Sequence, residues 1–97
     1  MSSSPVSILR EATDGIDEFV LRIDGERLGF LEYTSGDGVM RIEYVEVAAE
    51  LRGSGFGRQL VEAAVAHARE NQMRVVPICS YARMVISRDP ALSAALR

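Results

Sequence analysis

The chain has 97 residues and a mass of 10.6 kDa, which is enough for one compact domain and too little for two. Hydrophobic residues make up 47% of the sequence and charged residues 26%, a balance typical of a globular protein and not of a disordered chain. No apolar run reaches the roughly 20 residues of a membrane span, and the first residues lack the charged and apolar regions of a signal peptide. We therefore expect a cytoplasmic protein.

The charge balance is acidic, with 14 acidic residues against 11 basic ones and a net charge of -3. The chain therefore offers no general attraction to nucleic acid or to an anionic membrane. All the basic residues are arginines, and the absence of lysine excludes Schiff-base chemistry and a P-loop. One cysteine and one histidine form neither an internal disulfide nor a Cys/His zinc site, so we expect no metal. An anionic ligand must be bound locally.

The first half of the chain predicts a short tail followed by an antiparallel meander. Residues 1–12 predict a flexible tail, in which Ile8 and Leu9 are the candidates for a short edge strand, and a single domain is expected over residues 13–97. Alternating apolar residues predict strands over 18–24, 28–34 and 39–47, with a hairpin at Asp24-Gly25 and a second turn over residues 35–38. Three antiparallel strands are expected.

The second half predicts a βαβ unit. Apolar residues at helical spacing predict a helix over residues 57–71, and the apolar, β-branched run 73–78 predicts a strand parallel to the third one. Because Pro77 has no N–H, its strand is expected to lie at an edge or to separate from its neighbour there.

The C-terminal residues predict short helices. Ser80 is the predicted N-cap of a helix over residues 81–88, Asp89-Pro90 ends that helix, and a further helical piece is expected over residues 91–96. The order of predicted strands and helices along the chain is typical of a compact α+β fold, in which a three-stranded antiparallel meander is followed by a βαβ unit with a glycine-rich loop.

The glycine-rich loop is the most informative motif. Three of the eight glycines lie within five residues of each other, at the start of the predicted helix, in the run Arg52-Gly53-Ser54-Gly55-Phe56-Gly57-Arg58. Such a run forms either an ordinary flexible loop or an anion site, in which backbone amides and the two flanking arginines hold a phosphate over the helix N-terminus. The third glycine comes one residue too early for a Rossmann loop.

The loop and its flanking segments resemble the GCN5-related N-acetyltransferases (GNAT), and within them the small single-domain YjdJ-type subfamily. The resemblance runs from about Phe19 to Pro90, and it is carried by the segments Glu46 to Gly55, Leu60 to Ala64, Ala68-Arg69, Val75 to Tyr81 and Arg88-Asp89-Pro90. Two positions depart from the subfamily pattern: Tyr44 stands where many members have histidine, and Val85 stands where an aromatic residue is common.

The resemblance implies acetyl-CoA as cosubstrate. Its pyrophosphate would be bound by the loop over residues 52–58, and the amide of Val47 or Ala48 would bind the thioester or pantetheine. The pantetheine would lie between two strands that splay apart, which agrees with the gap expected at Pro77. The resemblance also implies a fold with an open acceptor side, because Asp24-Gly25 leaves only a tight hairpin where larger members carry helices.

Acetyl transfer to an amine requires a base, and the resemblance directs attention to Glu46. Strand alternation places Glu46 on one face with Met40, Ile42 and Tyr44, where apolar surroundings would raise its pKa. The alternative is a carboxylate at a strand end that reaches solvent. Both interpretations stay open at this stage.

Two further residues are candidates for chemistry. Tyr81, at the start of a helix, either protonates the departing thiolate or packs on the core. Cys79 is either a small buried side chain, a redox-sensitive thiol or a covalent acyl carrier. His67 is expected to be structural.

Three functions are therefore considered. The first is N-acetyl transfer to an unidentified amine, including an amine on a protein or peptide. The second is an acyl-CoA-binding or sensor module without efficient turnover. The third is a phosphate- or nucleotide-binding βαβ domain of another type.

Overall fold

The computed structural model describes residues 5–96 as one five-stranded sheet with helices packed on one face. The elements are β1 (Val6–Thr13), β2 (Ile16–Ile23), β3 (Glu26–Gly36), β4 (Val39–Val47), α1 (Phe56–Glu70), β5 (Arg74–Pro77), α2 (Ser80–Ser87) and α3 (Pro90–Ser93), with 3-10 turns at Ala49–Leu51 and Ala94–Leu96. The strands lie in chain order, the first four are antiparallel, and β5 is parallel to β4. The predicted α+β fold is confirmed.

The meander has four strands instead of three. The short edge strand expected at Ile8 and Leu9 is present as β1, at the edge of the sheet. It is longer than expected, because residues 6–12 of the predicted tail belong to it and it pairs with β2 along its whole length. The turn that joins the two strands is Asp14-Gly15, with positive φ at both residues (53° and 78°), and the Asp24-Gly25 hairpin has the same geometry. Arg22 further ties β2 to β1 through hydrogen bonds of 3.0 and 3.1 Å to the Glu11 carboxylate. Residues 1–4 of the predicted tail lie outside the described residues.

One apolar core lies between the sheet and the helices. Five side chains of α1 face the sheet and are buried: Leu60, Val61, Ala64, Val65 and Ala68. They pack on buried sheet residues such as Leu31 and Ile42. The ring of His67 packs against those of Phe19 and Tyr33, with centroids 5.6 and 6.2 Å away, which confirms its structural role.

The helix that follows β5 begins one residue earlier than the sequence predicts. Cys79 occupies the N-cap position of α2, and Ser80 is the first helical residue, so the prediction that Ser80 caps the helix is wrong. The reason is that the N–H groups of Ile78 and Cys79 both donate to the Ile42 carbonyl at 3.0 Å, which turns the chain directly into the helix. Asp89 caps α3 by accepting from Ala91 N–H at 2.9 Å.

A gap separates the ends of β4 and β5. The ladder between these parallel strands runs from Val39–Arg74 to Ile42–Pro77, whereas β4 continues to Val47. The predictions that Pro77 lies on an edge strand and that the strands part there are therefore confirmed.

A β-bulge in β4 changes which residues of the strand face the core. Glu32 pairs with Tyr44 while Tyr33 pairs with Ile42, so Glu43 is the extra residue on β4. Before the bulge Met40 and Ile42 point into the core; after it Val45 and Val47 do so. Tyr44 and Glu46 consequently lie on the opposite face of the sheet.

Candidate functional site

A cleft of about 690 Å³ lies where β4 ends and α1 begins. It is lined by Tyr44, Val45, Glu46, Val47, Leu51, Arg52, Gly53, Gly55, Phe56, Gly57 and Tyr81. The fold thus brings together most of the residues that the sequence singled out, although they come from β4, the glycine loop and α2. The sequence did not predict Tyr44, Val45 and Leu51 as lining residues. For Leu51 a signal was present, because an apolar side chain next to the glycine-rich loop indicates a wall of the cleft.

The glycine loop presents backbone amides at the start of α1. Gly53 and Gly55 have φ values of 84° and 91°, a conformation that side-chain-bearing residues rarely adopt. Gly55 is the N-cap residue, and the first helical bond runs from Gln59 N–H to its carbonyl at 3.1 Å. The N–H groups of residues 56–58 therefore have no carbonyl partner within the helix. Together with the helix dipole they make the start of α1 a candidate anion-binding site.

The predicted polar side chains of the loop have different roles. Arg52 is exposed and lines the cleft. The guanidinium of Arg58 instead binds Glu62, one helical turn away at 3.1 Å, and Asp89, which precedes α3. The N–H and hydroxyl of Ser54 both donate to the Leu51 carbonyl. The side chains of Arg58 and Ser54 therefore hold the loop and the helix in place, whereas the Arg58 N–H is one of the amides without a helical partner. That these two residues contact an anion stays a prediction.

The backbone of β4 offers further donors to the cleft. Ala48 N–H donates to the Leu28 carbonyl at 2.8 Å, so of the two alternatives, Val47 or Ala48, the Ala48 amide is already engaged and the Val47 amide stays the candidate. Successive residues of an antiparallel strand direct their backbone groups to opposite sides. Since Ala48 and Glu46 bond towards β3, the N–H and C=O groups of Val45 and Val47 point to the other side, beyond the end of β5.

The surroundings of Glu46 differ from the prediction. The bulge places Glu46 on the face away from the core, where it is exposed. Of the two interpretations, the carboxylate that reaches solvent is therefore confirmed and the apolar environment is wrong. Its Oε1 accepts a hydrogen bond of 3.0 Å from the Tyr44 hydroxyl. This bond, aided by the charge of the carboxylate, raises the pKa of the Tyr44 phenol. Tyr44 therefore stays a proton donor near neutral pH and holds the carboxylate at the cleft.

Tyr81 lies directly over the start of α1. A Cβ added to Gly57 would be only 2.7 Å from the Tyr81 hydroxyl, so any larger residue at position 57 displaces the phenol. Gly57 is therefore required for a different reason from Gly53 and Gly55. Its missing Cβ leaves room for the Tyr81 side chain, whereas Gly53 and Gly55 adopt positive φ. The Tyr81 ring is 37% exposed, and its hydroxyl lies beside the amides of the first helical turn.

Cys79 is half-buried, packs against the core and does not line the cleft. Within residues 5–96, no three His, Cys, Asp or Glu side chains come close enough to hold a metal ion. None of the helices in the same range is long and apolar enough to cross a membrane.

Comparison with known families assigns the chain to one of them. The chain belongs to the GCN5-related N-acetyltransferases, because the sequence model of that family matches residues 18–96. No curated protein sequence matches the chain.

Solved structures agree with this assignment at the level of the fold. The GNAT-family N-acetyltransferase YhbS of Escherichia coli, whose crystal structure contains CoA, is 17% identical with a TM-score of 0.69, covering 99% of this chain and 69% of that one. The IAA acetyltransferase of Bacillus cereus is 18% identical with a TM-score of 0.68, covering 87% of this chain and 75% of that one. The chain spans only 53% of a longer protein of Desulfovibrio desulfuricans assigned to the GNAT family (19% identity, TM-score 0.64, covering 75% of this chain).

Proposed function

We propose that the protein is an acetyl-CoA-dependent N-acetyltransferase that acts on an amine. One observation carries the proposal. The cleft joins the start of α1, where backbone amides have no helical partner, to the end of β4, where the backbone groups of Val45 and Val47 point beyond the end of β5. An elongated ligand with a pyrophosphate and an amide-containing arm fits such a cleft. The presence of CoA in the similarly folded YhbS supports this choice of ligand.

In this proposal the amides of Gly53 and of residues 55–57, together with the Arg52 guanidinium, bind the pyrophosphate. The pantetheine amides run along β4 and bond to the backbone of Val45 and Val47, in the place that β5 leaves empty. Phe56 and Leu51 supply the apolar wall of the cleft. The thioester then lies near Val47, Glu46 and Tyr81.

The proposed reaction is a direct transfer of the acetyl group from acetyl-CoA to the acceptor amine. Glu46, directly or through a water molecule, takes a proton from the acceptor ammonium, and the amine nitrogen then attacks the thioester carbonyl. The Val47 N–H stabilises the oxyanion of the tetrahedral intermediate. The C–N bond is formed in that intermediate, and its collapse then breaks the C–S bond. The departing CoA thiolate takes a proton from the Tyr81 hydroxyl, and the second proton lost by the amine nitrogen returns to the Tyr81 oxygen through water. Cys79 has no covalent role in this sequence of steps.

The finer assignments belong to the same proposal. The YjdJ-type subfamily is supported by the segment from Val75 to Tyr81, which supplies the strand end, the N-cap and the phenol of the cleft. A cytoplasmic location is proposed because a reaction that consumes acetyl-CoA needs a compartment that supplies it.

The second candidate function is an acyl-CoA-binding module without efficient turnover. The observation in its favour is the openness of the acceptor side, since only Asp24 and Gly25 join β2 to β3. The exposure of Glu46 to solvent also leaves the acceptor amine poorly shielded from water. A third possibility, a nucleotide-binding domain, requires that ligands without the pantetheine arm bind as well as acetyl-CoA.

A combined binding and turnover measurement distinguishes these functions. We expect acetyl-CoA to raise the melting temperature, with a dependence on concentration set by its Kd, and ADP to stabilise far less because it lacks the pantetheine arm. Release of CoA thiol in the presence of a panel of primary amines, above the rate without amine, is the expected sign of transfer. Binding without release indicates the sensor module, and equal stabilisation by ADP contradicts the whole proposal.

The proposed mechanism also predicts the effect of removing the thiol. Cys79→Ala should lower the free energy of unfolding by about 1 kcal/mol, the usual scale for a lost core contact. The rate of CoA release should stay within about twofold of the original value, since direct attack needs no enzyme nucleophile. Near-complete loss of transfer with intact acetyl-CoA binding would instead demonstrate an acyl-cysteine intermediate.

A further inference from the structure

We propose that the protein forms a symmetric dimer in which the β1 strands of two copies pair side by side, antiparallel and centred on Leu9. The five-stranded sheet of one copy then continues into the sheet of the other. The partner is a second copy of this chain, and the proposal does not depend on the transferase function.

The two edges of the sheet differ in how well they are protected from strand pairing. β5 has only four residues, ends at Pro77 and lies beside the 3-10 turn Ala94–Leu96. A short strand, a proline and a covering segment are features that prevent pairing at an edge. β1 instead has eight residues without proline or lysine, has no bulge in its register with β2, and within residues 5–96 pairs only with β2. β1 is therefore the open edge.

The backbone groups of β1 are spaced for pairing with a copy of the same strand. The Pro5 carbonyl accepts from Asp24 N–H at 3.0 Å, so residue 5 bonds towards β2. Because backbone groups alternate along a strand, residues 7, 9 and 11 also bond towards β2, and residues 6, 8, 10 and 12 direct their N–H and C=O groups to the free edge. When the pair is centred on Leu9, residue 6 faces residue 12 of the second copy and residue 8 faces residue 10. These pairs exchange about eight backbone hydrogen bonds, which is close to the number in a typical protein interface.

The apolar side chains on the sheet face away from the helices favour the same register. Leu9 lies opposite Val20, and Val20 lies opposite Phe30, so the three form one row that ends at the edge. Exposure rises along this row from 1% at Val20 to 63% at Leu9. In the dimer Leu9 lies against Leu9 of the second copy in a non-hydrogen-bonded pair, where facing side chains are closest. The row then continues through both sheets, and Leu9 is covered.

The charged residues of β1 are compatible with this pairing. Arg10 binds Asp17 at 3.2 Å and Glu11 binds Arg22 at 3.0 Å, so both charges of the strand are neutralised within one copy. In the pair centred on Leu9 no two like charges lie directly opposite each other. A pair centred on Arg10 would bring two arginines directly opposite, which is unfavourable. Charge therefore selects the same register as the apolar row.

The arrangement closes at two copies. Each copy has one open edge, and a symmetric pairing uses the same edge of both. The cleft between β4 and α1 lies towards the opposite edge of the sheet, so both clefts of the dimer stay accessible.

Sedimentation equilibrium over a range of protein concentrations tests the proposal. We expect a reversible change from 10.6 kDa to twice that mass, with a Kd on the order of 10 µM, because one strand pair is a small interface. Leu9→Lys puts two ammonium groups at the closest pair and should raise the Kd about 30-fold or more. Ile16→Lys makes the same change at a 46% exposed residue one strand away from the edge, and it should leave the Kd unchanged.

Amide hydrogen exchange, followed residue by residue by NMR above and below the Kd, tests the interface without a variant. The N–H groups of residues 6, 8, 10 and 12 should exchange about tenfold or more slowly in the dimer than in the monomer, whereas those of residues 7, 9 and 11 are protected in both. A chain that stays monomeric up to about 1 mM would leave the edge to another partner and overturn the dimer. A dimer in which residues 6, 8, 10 and 12 exchange as in the monomer, or one that Leu9→Lys leaves intact, would overturn the pairing through β1.

Discussion

Gly55→Asp is expected to abolish the stabilisation of the protein by acetyl-CoA. The residue is the N-cap of α1 with φ of 91°, and its neighbours supply the amides that we assign to the pyrophosphate. A carboxylate at this position brings a negative charge to the place of the ligand's own charge and occupies the amides intramolecularly. At a concentration of 100 times Kd the original protein gains about 2.7 kcal/mol from the ligand, and the variant should gain nothing measurable.

Two control variants separate charge from backbone strain. Gly55→Asn has the same shape and φ requirement as Gly55→Asp but no charge, so it should keep a weakened thermal shift. Gly25→Asp introduces the same residue at a glycine with φ of 81° in the β2–β3 turn, away from the cleft. It should lower the melting temperature and leave the acetyl-CoA shift unchanged. A full shift in Gly55→Asp would show that the loop does not hold the pyrophosphate.

The elements of the fold that could be predicted are those with local causes. The Asp24-Gly25 turn, the apolar period of α1 and the end of β5 at Pro77 each depend on a few adjacent residues. β1 extends beyond the edge strand expected at Ile8 and Leu9, because the serines and Pro5 before it are typical of a tail. Asp14-Gly15 carries the same hairpin signal as Asp24-Gly25, so turn chemistry predicts this strand better than composition does.

The details of the site depended on contacts between distant parts of the chain. No local feature of β4 marks Glu43 as a bulge, because the shift arises from packing Val45 and Val47 into the core after Ile42. That single extra residue decides which face Glu46 occupies. The Arg58 guanidinium is likewise held away from the loop by its hydrogen bond to Asp89, which is 31 residues away in sequence. Loop residues could therefore be located from the sequence, but their roles could not.

The second large effect is expected from Glu46→Gln. If the carboxylate takes the proton from the acceptor ammonium, the amide cannot replace it, and general base catalysis of this kind is worth about 100-fold or more in rate. The thermal shift with acetyl-CoA should be retained, because the groups assigned to the cofactor are backbone amides and Arg52. Glu50→Gln removes the same charge from the exposed 3-10 turn beside the cleft and serves as the control, with an unchanged rate.

The dependence of this effect on pH identifies its cause. As the pH rises towards the pKa of the acceptor amine, a growing fraction of the amine is already neutral and needs no base. The rate of the Glu46→Gln variant should therefore rise with pH and approach that of the original protein, whereas the ratio of the two rates is largest near neutrality. A ratio that stays constant across the pH range would mean that Glu46 binds the acceptor without accepting its proton. Equal rates at every pH would remove Glu46 from the mechanism and leave proton removal to water.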